Sequence, residues 1–341
     1  MTITEQKPAV PPVKVTGLLH ATWAIHILRA ALELQIFAAL KPAPKSAEAL
    51  AKELTIDTRG AQVLLDALVG LELIEKREDR YRLGETAELY LVPTSPLFMG
   101  DYLNISEDLA KAWSGLTEAI RTGKPAMEVN LDQKAEEFFP RLAATLFPMN
   151  YTTAQMAARD LKVDLLTAGA RVLDIAAGSG VWSIPMAQQN KGVQVDVLDF
   201  PAVLSVTREF ANRYEVANQY RYLEGNWRDV ELERAAYDII ILGHICHSEG
   251  WKLTEMLLSK CREALKSDGR LVIAEFMPNE SRTEPAWPLM FAVNMYLLTT
   301  DGCVFSEKEL IDLAVSKGYS EAFRLELPFW GKASPVVVAR K

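Results

Sequence analysis

Residues 171–180, RVLDIAAGSG, run from a short apolar stretch straight into a cluster of alanine, glycine and serine. The first half reads as a buried strand. The second half reads as a turn that a ligand can approach closely, because Gly178 and Gly180 carry no side chain and Ala176 and Ala177 keep the rest small. Outward from this point the pattern repeats: VQVDVLDF, YDIIILGHI and GRLVIAEFM are apolar runs separated by helical segments. Such alternation builds a parallel sheet with crossover helices. FRLELPF and PVVVARK add antiparallel strands at the end of the sheet. The expected fold class is α/β, a Rossmann-like sheet over residues 161–341.

The N-terminal part has a different rhythm. Residues 1–12 are polar and hold three prolines, so they read as a flexible leader. From Val13 to Leu40 apolar residues recur at helical spacing until KPAPKS stops the helix. Ser46 and Asp57 can each cap a following helix, and EKREDRYRLGETAELYLV reads as a hairpin. Helix, helix and hairpin describe a mostly helical winged-helix domain over residues 13–100. Residues 101–160 are helical and rich in aromatic residues and methionine, a bridge contributing to a substrate pocket.

Charge narrows the partners. The formal net charge is −8, and the second winged-helix helix carries Arg59 against Asp57, Asp66, Glu72 and Glu75. Phosphate contacts need cations, so nucleic acid is not expected as a partner. Surplus apolar surface on the first helix predicts a homodimer. No signal core and no charge-free run of about 20 apolar residues is evident, so no membrane partner is expected. Cys246, Cys261 and Cys303 form neither a CxxC pair nor a disulfide framework, which fits a reducing, cytoplasmic compartment.

In a sheet of this kind the ligand lies over the carboxyl ends of the strands. The dinucleotide pattern GxGxxG is incomplete, with Ser183 at its third position, and no GK[ST] is present. Asp174 enters the turn and suits a cation better than a pyrophosphate. Asp199 ends the second strand, where a carboxylate can accept ribose hydroxyls. In EGNWRD, beside the third strand, Asn226 can bond an adenine edge and Trp227 can stack on its face. An adenosine carrying a cationic tail satisfies all three stations.

DIAAGSG, VLDFP, EGNW, HSE and AEFMP resemble the S-adenosylmethionine-dependent O-methyltransferases of the plant caffeic acid and bacterial natural-product type. The resemblance spans nearly the whole chain, including that family's N-terminal winged-helix dimerisation domain. It implies a Rossmann-like methyltransferase sheet, S-adenosyl-L-methionine as cofactor with S-adenosyl-L-homocysteine as product, and a small-molecule acceptor. Gly178, Asp199, Asn226 and Trp227 would hold the cofactor, with Phe200 beside the adenine; Asp174, Gly180 and Gly243 complete the expected cofactor set. Ala176 stands where the family's turn has its first glycine, and Asn226 where an acidic residue is usual.

A sulfonium methyl is already electrophilic, so the protein has to align an acceptor and remove its proton. His247 follows the fourth strand and Glu275 ends the fifth, which puts an imidazole and an orienting carboxylate at the same edge. The pair is expected as general base and orienter, matching the family's catalytic histidine and first supporting glutamate. His244 is a nearer-strand competitor. His244, Cys246 and His247 lack the second ligand pair of a tetrahedral zinc site, so no metal is expected. The family's second glutamate falls on Val304, with Glu307 three positions late. That departure keeps N- or C-methylation, or a non-methylating reaction of the same fold, as alternatives; a cofactor-sensing winged-helix regulator is the other. Phe147, Tyr151, Met290, Phe291, Asn294 and Met295 are the expected acceptor-pocket residues, with core packing as the alternative reading of the same periodicity.

Overall fold

The computed structural model describes residues 12–129, 132–328 and 334–341. The leader expected over residues 1–12 therefore lies outside the described residues except for Pro12. The chain divides into two compact units between Leu103 and Asn104.

In the first unit α1 (Val13–Glu33) is followed by α2 (Ile36–Leu40), β1 (Lys45–Ser46), α3 (Ala47–Leu54), α4 (Thr58–Gly70), β2 (Ile74–Arg77), β3 (Arg80–Leu83) and α5 (Glu85–Tyr90). The single helix expected from Val13 to Leu40 is broken. Gln35 takes a left-handed φ of 58°, which ends α1 and redirects Ile36, Phe37, Ala39 and Leu40 into the core. Ser46 and Asp57 cap α3 and α4, their side chains accepting from Ala49 N and Gly60 N. The hairpin is shorter than expected, because Gly84 opens α5. Strands β1, β3 and β2 form a small antiparallel sheet. On α4, Asp66 accepts from Lys76 Nζ, Tyr81 Oη and Gln62 Nε2 at 2.7–2.8 Å. Helix α1 is long and apolar enough to cross a membrane by length and composition, although it carries Lys14, Arg29 and Glu33. Val13, Leu18, Leu19 and Trp23 on it are at least 60 % exposed in the isolated chain.

The second unit continues with α6 (Tyr102–Ser114), which begins at the division, then α7 (Leu116–Thr122), α8 (Asp132–Asp160), β4 (Arg171–Ile175), α9 (Ile184–Gln189), β5 (Gln194–Asp199) and α10 (Pro201–Arg213). After these come β6 (Tyr220–Glu224), β7 (Tyr237–Gly243), α11 (Cys246–Ala264), β8 (Leu265–Ala274), α12 (Ala286–Leu298), α13 (Glu307–Ser316), β9 (Glu321–Arg324) and β10 (Val336–Arg340). The sheet order is β6-β5-β4-β7-β8-β10-β9. Its first five members are parallel, and β10 pairs antiparallel with both β8 and β9.

Period two explains why these strands are apolar throughout. Val172, Val195, Val197, Ile239, Ile241 and Val272 pack into one core. Their alternates Leu173, Ile175, Leu198, Ile240, Leu242, Leu271 and Ile273 pack into another. Both faces are covered, so each strand position gains from burial. At the amino-terminal edge buried Asp196 accepts from Arg171, Arg221 and Tyr237 at 2.7–2.8 Å, leaving its charge fully paired. The carboxyl edge is where β4 has β5 on one side and β7 on the other, the switch point at which such sheets hold ligands.

Candidate functional site

The turn after β4 is made of left-handed residues. Ala176, Gly178 and Gly180 have φ of 54°, 57° and 74°. Glycine takes that conformation freely, whereas Ala176 holds it against its own Cβ. At Gly178 an added Cβ would lie 3.5 Å from Ala143 of α8, and at Gly180 3.2 Å from Thr207 of α10. Asp199 fixes the loop, its Oδ2 accepting from Gly178 N at 2.9 Å and its Oδ1 from Phe200 N at 2.8 Å. Burial pushes Asp199 up to about 6, although those two N–H donors pull the other way. The β6 turn reaches the same place, since Gly225 N donates to the Asp199 carbonyl at 3.0 Å. Asp199, Phe200 and Asn226 are thereby brought to one edge.

Three of the expected cofactor residues have other duties. Asp174 is 1 % exposed and accepts from Ser183 Oγ at 2.7 Å, so it lies under the turn rather than in its mouth. Burial drives it up to about 7, with the Asp199 charge adding to the rise, which removes the full negative charge that the sequence reading assigned it. Gly243 is glycine because Trp182 lies on it: a Cβ there would sit 2.3 Å from Trp182 Cδ1. Trp227 is 6 % exposed and belongs to the core beneath the sheet, which leaves little of its ring for stacking. Asn226 Oδ1 accepts from the backbone N–H of Arg228 at 3.0 Å.

His247 stands in the first turn of α11, and Glu275 follows β8 directly. Glu275 Oε2 is 2.7 Å from His247 Nδ1, and Oε1 accepts from His247 N at 3.1 Å. The same carboxylate therefore orients the ring and satisfies an open N–H at the start of the helix. Burial at 1 % exposure raises the Glu275 pKa, but the attraction and hydrogen bonds of His247 outweigh that and hold it below the usual carboxylate range. The His247 carbonyl accepts from Cys303 N at 2.8 Å. Gly250, with φ 71°, kinks α11 and lets the Asp301 carbonyl approach to where a Cβ would be 2.2 Å away. With Nδ1 engaged as donor, Nε2 is left as the free basic nitrogen of the ring.

His244, His247 and Glu275 place possible ligand atoms within 4.8 Å of one another. The 2.7 Å separation of His247 Nδ1 and Glu275 Oε2 is a hydrogen-bond distance, shorter than ligand atoms arranged around an ion keep. Cys246 is fully buried away from solvent.

Among the expected acceptor-pocket residues, one makes a ring contact with His247 in the described residues. Phe291 of α12 meets its ring edge-on at 4.8 Å. Phe147 is 0 % exposed and, with Tyr151, stacks against Tyr214 of the α10 side. Phe147 is a core residue there and half-buried Tyr151 packs against the same core, because helical spacing on α8 turns both toward the sheet-covering layer. Met290 is 54 % exposed and Met295 5 %, so they face opposite ways on α12. Asn294 Oδ1 accepts from Trp113 Nε1 at 3.0 Å, fastening α12 to α6. Phe276 and Trp287, not singled out from the sequence, complete the surroundings: Phe276 lies 4.8 Å from Phe291 and 6.0 Å from Trp287. Their signal was present in AEFMP and in the first residue of WPLMF.

The O-methyltransferase domain family model matches residues 133–320, more than half of the chain and all of this site. The chain belongs to that family. The O-methyltransferase dimerisation domain matches residues 16–93 as well. The family uses S-adenosylmethionine as methyl donor, and this family member is a methyltransferase. It is 28 % identical to the 3-hydroxy-5-methyl-1-naphthoate 3-O-methyltransferase of Streptomyces sahachiroi over 91 % of this chain and 90 % of that one. It is 27 % identical to the tetracenomycin polyketide synthesis 8-O-methyl transferase TcmO of Streptomyces glaucescens, over 91 % and 92 %. Among solved structures, a putative O-methyltransferase from Nostoc punctiforme superposes with a TM-score of 0.85 at 26 % identity, covering 98 % of this chain and 100 % of that one. Human N-acetylserotonin methyltransferase in complex with SAM gives 0.80 at 21 %, covering 100 % and 99 %.

In this methyltransferase the position at which the sequence resemblance places a second supporting glutamate is apolar. Val304 is 3 % exposed and its carbonyl accepts from Arg282 Nη1 at 2.9 Å. Glu307 is committed to Arg324 at 2.9 Å and does not replace it.

Proposed function

We propose that this methyltransferase transfers the methyl group of S-adenosylmethionine to a hydroxyl of a small aromatic, polyketide-like metabolite, with His247 as general base and Glu275 as its orienter. The observation that carries the reading is the 2.7 Å bond from His247 Nδ1 to Glu275, which leaves Nε2 bare at the carboxyl edge of the sheet. The cofactor supplies an electrophilic methyl on a sulfonium centre. Asp199 would accept its ribose hydroxyls, the Gly178 turn would give its tail close access to backbone, and Phe200 and Asn226 would border its adenine. Phe276, Phe291 and Trp287 form an aromatic wall beside the base, suited to a flat acceptor whose hydroxyl points at Nε2. Nε2 takes the hydroxyl proton as the oxygen attacks, and Glu275 stabilises the imidazolium that results.

The two relatives named above are O-methyltransferases acting on a hydroxynaphthoate and in tetracenomycin synthesis, which supports an oxygen acceptor. A second reading, transfer to nitrogen, is favoured by the apolar Val304 and by 28 % identity to the N,N-dimethyltransferase OxyT of Streptomyces rimosus over 81 % of this chain. The exposed apolar residues of α1, inside the region matching the dimerisation domain, support a homodimer.

The test is methyl transfer from labelled S-adenosylmethionine to a panel of hydroxynaphthoates and matching aromatic amines, using the wild type and His247→Ala. Labelled ether product, slowed about a hundredfold in the variant with cofactor affinity kept, is expected. Equal rates for the two proteins, or label found only on nitrogen, overturn the reading.

A further inference from the structure

One buried polar atom next to the His247–Glu275 pair is unaccounted for. His244 follows β7 with φ 62°, a left-handed conformation that is unfavourable for a residue with a Cβ. Its Nδ1 is shielded from solvent and has no hydrogen-bond partner among the described residues. Strain and an unsatisfied atom at one residue beside a reactive centre are both costs, tolerated where the position serves the site. The ring is held between Phe276 at 4.4 Å and Trp182 at 5.8 Å. Its Nε2 is 3.2 Å from Asn150 Oδ1, which also accepts from Ser334 Oγ at 2.9 Å. Nδ1 faces Glu275 Oε2 at 3.9 Å.

We propose that His244 is a positioning residue for methyl transfer: a proton on its Nδ1, 3.9 Å from Glu275 Oε2, gives that carboxylate an electrostatic support that Val304 cannot. The proposal rests on the reading of His247 as base. With Nδ1 bare, a lone pair and a carboxylate would face each other across a dry gap, and both would be destabilised. With the proton on Nδ1 an N–H dipole instead of a lone pair faces the carboxylate across 3.9 Å. Nε2 then accepts, and the Asn150 amide serves both neighbours once its nitrogen occupies the shared position, donating one hydrogen to His244 Nε2 and the other to Ser334 Oγ. Which amide atom lies there is decided by the network and not by shape. His244 stays uncharged because burial drives its imidazole down to about 4 against the pull of Glu275. The other titratable groups facing Glu275 are His247, Cys246 and Cys303. Burial raises both thiols, Cys303 to about 11, so neither ionises between pH 6 and 8.

The sequence has four histidines, so the tautomer can be read directly by long-range 1H–15N correlation on histidine-labelled protein saturated with S-adenosylhomocysteine. A neutral His244 with its proton on Nδ1 at pH 6 to 8 is expected; a proton on Nε2, or a charged ring, overturns the proposal. Kinetics with labelled cofactor and a hydroxynaphthoate form the second arm. His244→Phe keeps the ring packing and removes the N–H dipole facing Glu275, so kcat falls about tenfold. The acid limb of its pH–rate profile moves to higher pH, because the Glu275 charge then acts on His247 alone, and cofactor affinity is unchanged. His244→Asn accepts the left-handed backbone and restores an N–H, and should regain most of the rate. A wild-type rate in His244→Phe with a slow His247→Ala overturns the role of His244 only. A wild-type rate in His247→Ala overturns the base itself. Should His244→Phe fail to fold, Asn150→Ala takes its place; an unchanged rate and tautomer there overturn the relay.

Discussion

Replacing Asp174 by Asn separates the turn's hydrogen bonding from its charge. Asparagine keeps an oxygen for Ser183 Oγ, which donates at 2.7 Å, but cannot ionise. In the folded protein burial, with Asp199 nearby, lifts the Asp174 carboxyl from 3.8 to about 7. The sign follows from proton binding. Below the unfolded value the group is neutral in both states and costs nothing. As pH rises toward 7 the unfolded chain releases its proton while the folded one retains it, so stability falls, and above the folded value the loss is complete. Between pH 5.5 and 8 the wild type therefore loses about 1.5 pKa units, roughly 2 kcal/mol, that the variant does not. For a unit of this size that corresponds to a difference in Tm growing by on the order of 4–8 °C across the window. Thermal melts of both proteins at closely spaced pH, followed by near-UV dichroism, measure it. Parallel Tm curves would refute the argument, because they would mean that Asp174 is already ionised in the fold at pH 5.5.

Two further expectations concern the same turn. Ala176→Gly relieves a left-handed φ of 54° and should stabilise by about 1 kcal/mol in chemical denaturation; a loss of stability would show that the Cβ packs better than the conformation costs. Asp199→Ala should weaken S-adenosylmethionine binding at least about tenfold by calorimetry, the scale of one hydrogen bond to a charged group, and unchanged affinity would remove Asp199 from the ribose.

Much of the architecture was legible because burial on both faces leaves a local trace. RVLDI, VQVDVLD and YDIIILG are apolar at every second position toward each core, and the caps at Ser46 and Asp57 are decided within four residues. The pairing of His247 with Glu275 could be inferred from strand order, since parallel neighbours β7 and β8 end at the same edge. The readings that the sequence left open share a cause. Phe147, Tyr151, Met290 and Met295 have the spacing of a pocket wall and of a core alike, and only the packing of α8 and α12 separates the two. Periodicity states that a helix has an apolar face and not what lies opposite.

By itself the chain dictated the alternation of strand and helix, the small-residue turn at Ala176–Gly180, and the acidic and imidazole groups at strand ends, because each depends on residues a few positions apart. Tertiary structure decided what those groups meet. It put Asp174 under the turn, laid Trp182 on Gly243, and set His244 beside Glu275 with a nitrogen that has no partner among the described residues. Burial and charge at a site are sums over neighbours far apart in the chain, and no local pattern carries that sum.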